Sequence, residues 1–313
     1  RDGRPVGRIT AIINRVVNER TGQADLRFGF VDFIDDAEVV DALFSAAADW
    51  GRQRGMTSMV GPMGFTDMDH EGMLTFGYDE VGTMATIYNY PYYVDHMHRM
   101  GFAKDAGWVE FYVKVPDKVP DKYARIARIV QQREGLKVKK FKSRKKVKAQ
   151  YGHALFELIN EAYDKLYGYS PLTPRQIDYY VDMYLGILNL DYVTVITDAD
   201  DKIVAAGISI QSFSRALQKS RGRLFPFGWW HMLRALMGHS DAVDLLLIAV
   251  KPEYQSKGVN ALIFNDLIPQ YIKSGFLHAE TNLELEDNTK VQNQWDYFEN
   301  RLHRRRATFR KPL

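Results

Sequence analysis

What most limits the folding of this 313-residue chain is a strand-to-helix junction in its last quarter. Val243 to Val250 is a strongly apolar run that reads as a buried strand. Pro252 blocks its continuation, and Lys251 to Lys257 forms a short loop ahead of a helix from Val259 to Lys273. The first turn of such a helix offers unpaired backbone N–H groups and positive dipole potential, which suits an anionic phosphate. Gly258 lets the backbone approach a ligand without a Cβ in the way, and Gln255 and Lys257 add donors and charge.

The rest of the chain supplies matching pieces. Val6 to Ile13 and Leu26 to Ile34 read as strands. Asp35-Asp36 caps a helix with the stripe Val39, Leu43, Ala46, Ala47 and Trp50. Thr57 to Val60 is a short strand entering the loop Gly61-Pro62-Met63-Gly64, a helix follows near Tyr93 to Met100, and Trp108 to Val115 returns as a strand. Pro116 and Pro120 mark a boundary, so residues 1–118 form a first unit, 119–135 a connecting helix and 136–313 a second unit.

The basic run Lys137 to Lys148 reads as an edge strand and solvated linker rather than a phosphate- or nucleic-acid-binding patch, because its one aromatic residue, Phe141, does not make a series for base stacking. Helices are expected at Tyr151 to Tyr167 and Thr173 to Leu188, and a hairpin at Tyr192 to Gln211. An aromatic insertion follows, then the junction, a strand from Phe276 to Leu283, a helix from Val291 to Leu302 and a last strand from Arg306 to Lys311. The fold class is α/β (α+β): two units, each a mixed, mostly antiparallel sheet flanked by helices, the first incomplete.

The junction Gln255-Ser256-Lys257-Gly258-Val259-Asn260 resembles the pyrophosphate loop of the GNAT superfamily of acyl-CoA N-acyltransferases, Gln/Arg-x-x-Gly-x-Gly/Ala. Asn260 stands where a second small residue is usual. The element order from about Leu136 to the end follows that family, and Leu26 to Val115 looks like an incomplete second copy. The whole chain is similar to the tandem GNAT proteins of bacteria. In the first copy, the equivalent loop Phe33-Ile34-Asp35-Asp36-Ala37-Glu38 has three carboxylates and no glycine, a surface that repels phosphate.

The resemblance implies acyl transfer, with acetyl-CoA or another acyl-CoA as cosubstrate and no metal. It places Ile248, Ala249 or Val250 as the backbone N–H donor to the thioester oxygen. Ser256, Lys257, Gly258, Val259, Asn260 and Gln255 contact the cofactor, and Asn288 joins them. Glu280 is the expected general base, against the reading of a salt-bridged Glu, with His278 and His303 as weaker candidates. A Tyr acid on the last helix falls nearest Tyr297, although Trp295 competes for that place.

The acceptor is expected to be an amine of a small molecule or peptide. Asp67, Asp69 and Glu71, in the Met- and Tyr-rich segment Gly61 to Tyr93, suit a cationic amine as one wall of a cleft. Tyr179, Tyr180 and Tyr184, with Phe225, Phe227, Trp229 and Trp230, read as inter-domain packing, an aromatic pocket or lid, or a membrane-surface contact. A net charge of +3 implies no nucleic-acid partner, and zero cysteines exclude disulfides and a thiol nucleophile. No apolar run approaches the roughly 20 residues of a membrane span, and no signal segment opens the chain, so a cytoplasmic location is expected. Arg1 is not an initiator Met, so residues can precede it. The alternatives are a non-catalytic CoA-binding or scaffold protein, and an aminoacyl transferase of the peptidoglycan-bridge type.

Overall fold

The computed structural model describes residues 1–185, 188–238 and 240–313. The first half runs β1 (Gly7–Ile12), α1 (Arg15–Thr21), β2 (Asp25–Phe33), α2 (Ala37–Arg52), β3 (Ser58–Gly61), β4 (Met73–Phe76), α3 (Tyr92–Arg99) and β5 (Ala103–Lys114). After α4 (Asp121–Glu134) come β6 (Lys137–Lys139), α5 (Arg144–Tyr163), α6 (Pro174–Leu185), β7 (Val193–Thr197) and β8 (Ile203–Gln211). The chain then forms α7 (Ser214–Ser220), α8 (Gly228–Leu236), β9 (Ala242–Val250), α9 (Asn260–Lys273), β10 (His278–Thr281), β11 (Glu284–Leu285), α10 (Thr289–Gln292) and β12 (Asn300–Pro312).

Local chemistry explains the helix starts. The Asp36 carboxylate accepts the N–H groups of Glu38 and Val39, which opens α2. That helix buries Val39, Val40, Phe44 and Ala47, so its inward face is turned from the expected stripe and Ala46 is exposed. Ser143 caps α5 within the basic run, which corrects the expected linker. Val147, Tyr151 and Leu155 provide the buried stripe that draws this stretch into a helix, and Lys148 pairs with Asp182 on its exposed side. Thr173 and Gln176 bond reciprocally at the start of α6. Positions 186 and 187, where that helix was expected to continue, lie outside the described residues.

All twelve strands among the described residues join one sheet. Its main path is β1-β2-β3-β12-β5-β10-β9-β8-β7-β6, with β4 beside β12 and β11 beside β5. Two pairs are parallel, β2 with β3 and β9 with β10, each closing a strand–helix–strand crossover. These crossovers, β2-α2-β3 and β9-α9-β10, follow the same strand–helix–strand plan. α2 and α3 cover the first-half core around Phe28, Phe33 and Phe44. In the second half, α9 and α4 lie on one face of the sheet, and α5 and α6 on the other.

The last strand of each half completes the sheet of the other. β5, the end of the first half, pairs with β10 and β11 of the second. β12, the end of the second half, pairs with β3 and β4 on one edge and with ten residues of β5 on the other. The segment 136–313, expected as a complete unit, thus takes the strand beside β10 from residues 103–114. The expected helix from Val291 to Leu302 is also corrected. Helical structure stops by Tyr297, and the Asn300 amide bonds the carbonyls of Trp295 and Phe298 as the chain turns into β12. The free edges of β3 and β5 capture residues 300–312 as a strand, so tertiary pairing overrides the local preference.

Charges lock the exchanged strands together. Glu110 on β5 is fully buried and receives Arg304 Nε at 2.8 Å and Arg306 Nε at 2.7 Å, both from β12. Arg306 also donates to the Ile87 carbonyl at 2.6 Å, and Arg304 donates to the Val81 carbonyl, which ties the 77–90 loop over the pair. Removing one partner of such a group strands the remaining charge in a low-dielectric interior. Glu110→Ala should therefore cost about 3–5 kcal/mol in urea unfolding. Glu80→Ala, which breaks the outer pair with Arg301, should cost about 1 kcal/mol or less.

Candidate active site

The site begins where β9 and β10 part. Their parallel pairing covers only Ala242–Leu245 with His278–Thr281, while β9 stays paired with β8 through Val250. The gap beyond Leu245 is held open by side chains. Asn282 donates to the Leu246 carbonyl at 2.9 Å and the Tyr163 hydroxyl donates to the Ile248 carbonyl at 3.0 Å. In a strand, a residue's N–H points the same way as its carbonyl, so Ile248 turns its N–H into the gap while Ala249 faces β8. The Val250 carbonyl, on the same edge as Ile248, accepts the Gln255 side-chain amide at 3.0 Å.

The loop beyond Val250 leads to the start of α9. Ser256 and Gly258 have left-handed φ values of 62° and 83°. Among the described residues, the N–H groups of Ser256, Gly258, Val259 and Asn260 donate to no protein acceptor, and no side chain caps α9. A Cβ on Gly258 would sit 3.0 Å from Ile126 of α4, so the glycine serves both its backbone angle and this helix contact. Lys257 pairs with Glu134 at 3.1 Å, and Asn260 reaches Gln294 at 3.4 Å. The matching helix start in the first half differs: Asp36 already occupies the N–H groups of α2, and Arg1 neutralises that carboxylate.

Across the gap lies the acidic loop expected as a cleft wall. Asp69 folds back to accept the N–H groups of Phe65 and Thr66, so it shapes the loop. Asp67 and Glu71 stay partly open to solvent though densely enclosed by protein. Burial raises the pKa of both, mutual repulsion adds to this for Glu71, and Arg27 works against it. Asp67 lies within electrostatic reach of Tyr163, whose own pKa is raised by burial and then by that charge. Thr66 meets the Tyr180 hydroxyl at 3.2 Å, and Tyr180 stacks with Tyr184 at 5.9 Å. Ile248 thus meets Tyr163, Tyr163 feels the charge of Asp67, and the loop that carries Asp67 meets Tyr180 of α6.

Glu280 sits on β10, directly across from Asp244 on β9. His303 Nε2 is 2.9 Å from its carboxylate, Arg304 Nη2 3.1 Å and His278 Nε2 3.5 Å. Burial alone would raise the Glu280 pKa, but the close approach of both imidazoles and of the Arg304 guanidinium holds it at about 2. His278 in turn stacks on Tyr112 at 4.4 Å. Asp244 is 2% exposed, and among the described residues neither carboxylate oxygen has a hydrogen-bond partner; burial, with Glu280 nearby, pushes its pKa to about 7.

Tyr297 lies apart from this group. It is half exposed, packs edge-on against Tyr123 and holds the Lys122 ammonium over its ring. Trp295 is buried and donates to Glu284 at 2.8 Å. Asn288 precedes α10, and its carbonyl accepts from Val291 and Gln292. Sequence reasoning missed Tyr163 and Asp244. A lone carboxylate in the run Val243–Val250 was a legible signal for Asp244; Tyr163 had none, because its role depends on the strand gap.

No family model matches the chain. A tandem GNAT protein of the clavulanic acid biosynthesis pathway superposes with a TM-score of 0.55 at 11% identity, covering 99% of this chain and 80% of its own. The fold is that of the GNAT proteins. In sequence, the chain is 25% identical over 317 residues to Protein YghO of Escherichia coli K12, covering 99% of this chain and 80% of the relative. It is 26% identical over 260 residues to the bacterial ceramide synthase of Caulobacter vibrioides, covering 82% of this chain and 66% of that protein.

Asp244 gives a pH test. Its folded pKa, about 7, lies above the unfolded value of about 3.9, so it lowers stability as pH rises through that window. Asp244→Asn should change stability little near pH 4 and raise it by up to a few kcal/mol near pH 8, as read by urea unfolding at both pH values.

Proposed function

We propose that the protein is an acyl-CoA-dependent N-acyltransferase that loads its cosubstrate in the second half only. The observation that carries this reading is the pairing of an open β9 edge with an uncapped, glycine-opened start of α9. The N–H groups of Ser256, Gly258, Val259 and Asn260 suit a pyrophosphate, and Lys257, paired with Glu134, adds a cation beside them. Bound acyl-CoA supplies the acyl group as a thioester whose carbonyl oxygen gains negative charge during attack. Ile248 then offers its N–H to that oxygen from the strand gap.

An amine attacks only as the free base, so the site must take a proton. Asp67 and Glu71 are assigned this role, because a carboxylate whose pKa is pushed upward by burial is a better base at neutral pH. They also attract an ammonium group into the space before it is deprotonated. Glu280, the base expected from sequence, is assigned a positioning role: held at about 2, it stays ionised and fixes His303 and Arg304. The CoA thiolate is a stable leaving group near neutral pH, and no side-chain acid is required for it to depart.

The acceptor is proposed to be an amine with an apolar body, since Tyr180, stacked on Tyr184, meets Thr66 of the loop that carries the carboxylates. The ceramide synthase relative favours this class, because a ceramide is the amide of a long-chain amino alcohol.

Two variants test the reading. Ser256 is exposed and left-handed, a conformation Asp tolerates, so Ser256→Asp adds a carboxylate to the loop without a steric conflict. Calorimetry should show CoA affinity at least about tenfold weaker, as expected for repulsion beside a phosphate; equal affinity places the cosubstrate elsewhere. Glu71→Gln should lower kcat roughly 10²- to 10⁴-fold with CoA affinity retained. Intact CoA binding without turnover of any acyl-CoA against long-chain and short amines would favour a binding protein.

A further inference from the structure

We propose that the α7–α8 hairpin is a membrane-docking surface that seats the protein on an anionic lipid bilayer. This goes beyond the acyltransferase reading and does not depend on it. Between β8 and β9 the chain leaves the sheet for two short helices, anchored by a small core of Ile210, Phe213, Ala216 and Ala235. Beyond that core and the Leu217 and Met232 packed against it, the large apolar side chains point outward. Phe225 is 79% exposed and Phe227 74%, while Leu224, Trp229 and Trp230 are each about half exposed.

These side chains are presented by an ordered scaffold. The Trp229 N–H bonds the Leu224 carbonyl at 2.8 Å, and the Trp229 indole donates to the Pro226 carbonyl at 3.0 Å. On α8, Gly228 and Ala235 face inward while Trp229, Trp230, Leu233 and Leu236 face solvent. That arrangement is an amphipathic helix with its apolar face turned away from the protein. Tryptophan is suited to the headgroup boundary, where its ring is part apolar and part polar.

Charge selects the occupant. From Phe213 to Gly238 there are five cationic residues, Arg215, Lys219, Arg221, Arg223 and Arg234, and no Asp or Glu. Arg215 pairs with Asp241, while Lys219, Arg221, Arg223 and Arg234 are exposed around the aromatic tip. A second copy of this chain on the same patch would bring two sets of cations together, which opposes self-association. An anionic bilayer offers both an apolar layer for the rings and negative headgroups for the rim. No described helix is long and apolar enough to cross a membrane, so the contact is peripheral. The hairpin packs on Ile210, whose register partner on β9 is Asp244, so the patch lies at the Asp244 end of the sheet face that carries the buried carboxylates.

The test is sedimentation of the full chain with vesicles, without acyl-CoA or amine. Phosphatidylglycerol–phosphatidylcholine vesicles should carry the protein down, and pure phosphatidylcholine should retain far less. Phe225→Ser with Phe227→Ser should weaken binding at least about tenfold, and Arg221→Ala with Arg223→Ala should weaken it only on anionic vesicles. Raising salt from about 0.1 M to about 1 M should mimic the arginine change. All four side chains are exposed, so circular dichroism should show unchanged folding. Absence of binding to anionic vesicles, or equal binding by the phenylalanine variant, overturns the proposal. So does light scattering that shows the patch joining two copies instead. Because no substrate is present, these results stand apart from the acyltransferase assignment.

Discussion

The Glu110 contact with Arg304 and Arg306 holds the middle of the sheet together. It joins β5 to β12, the last strands of the two halves. Burying three charges is expensive unless every one is paired, and here both carboxylate oxygens and both guanidinium groups are engaged. Arg304 then passes its remaining N–H groups to Glu280, so the lock between strands also orders one side of the candidate site. Stability and site geometry share the same few residues.

The two halves repeat one plan with opposite electrostatics. β2-α2-β3 and β9-α9-β10 are the same crossover, each with a short parallel pairing before the strands separate. At α2 the protein's own carboxylate fills the helix start; at α9 no described side chain does. In the first half, the gap after Leu26–Arg27 is filled by protein: Met63 donates its N–H to the Phe28 carbonyl at 2.9 Å, and its own carbonyl lies too close to Gly29 for a Cβ there. In the second half, side-chain tips alone touch the β9 edge at Leu246 and Ile248. A single backbone pattern therefore yields a closed wall once and an open slot once.

Much of this was legible beforehand. The strand–loop–helix junction after Val250 and the capping Asp36 are local features, and local chemistry fixes them. The acidic character of the 61–71 loop was visible too, although only folding shows that Asp69 shapes the loop while the charge of Asp67 reaches Tyr163. Three things were out of reach for a common reason. The β strand at Asn300–Pro312 depends on an edge nearly 200 residues away, the low pKa of Glu280 depends on β12, and Tyr163 matters because two strands diverge. Pairing over such distances leaves no periodic trace in the residues themselves.

The strand exchange also bears on how the molecule is made. β5 is complete at Lys114, yet the strand that lies between it and β3 ends at Pro312. During synthesis, the first half leaves the ribosome with two unsatisfied edges and keeps them until residues 115–299 have been built and β12 emerges. Contacts of such wide sequence separation form slowly, and exposed edges invite pairing with other chains. Lys104 and Lys114, charged side chains on β5, give its edges some protection while they wait. A nascent chain of this design is most vulnerable to aggregation in that interval, when most of the sheet exists but its central strand has not yet arrived.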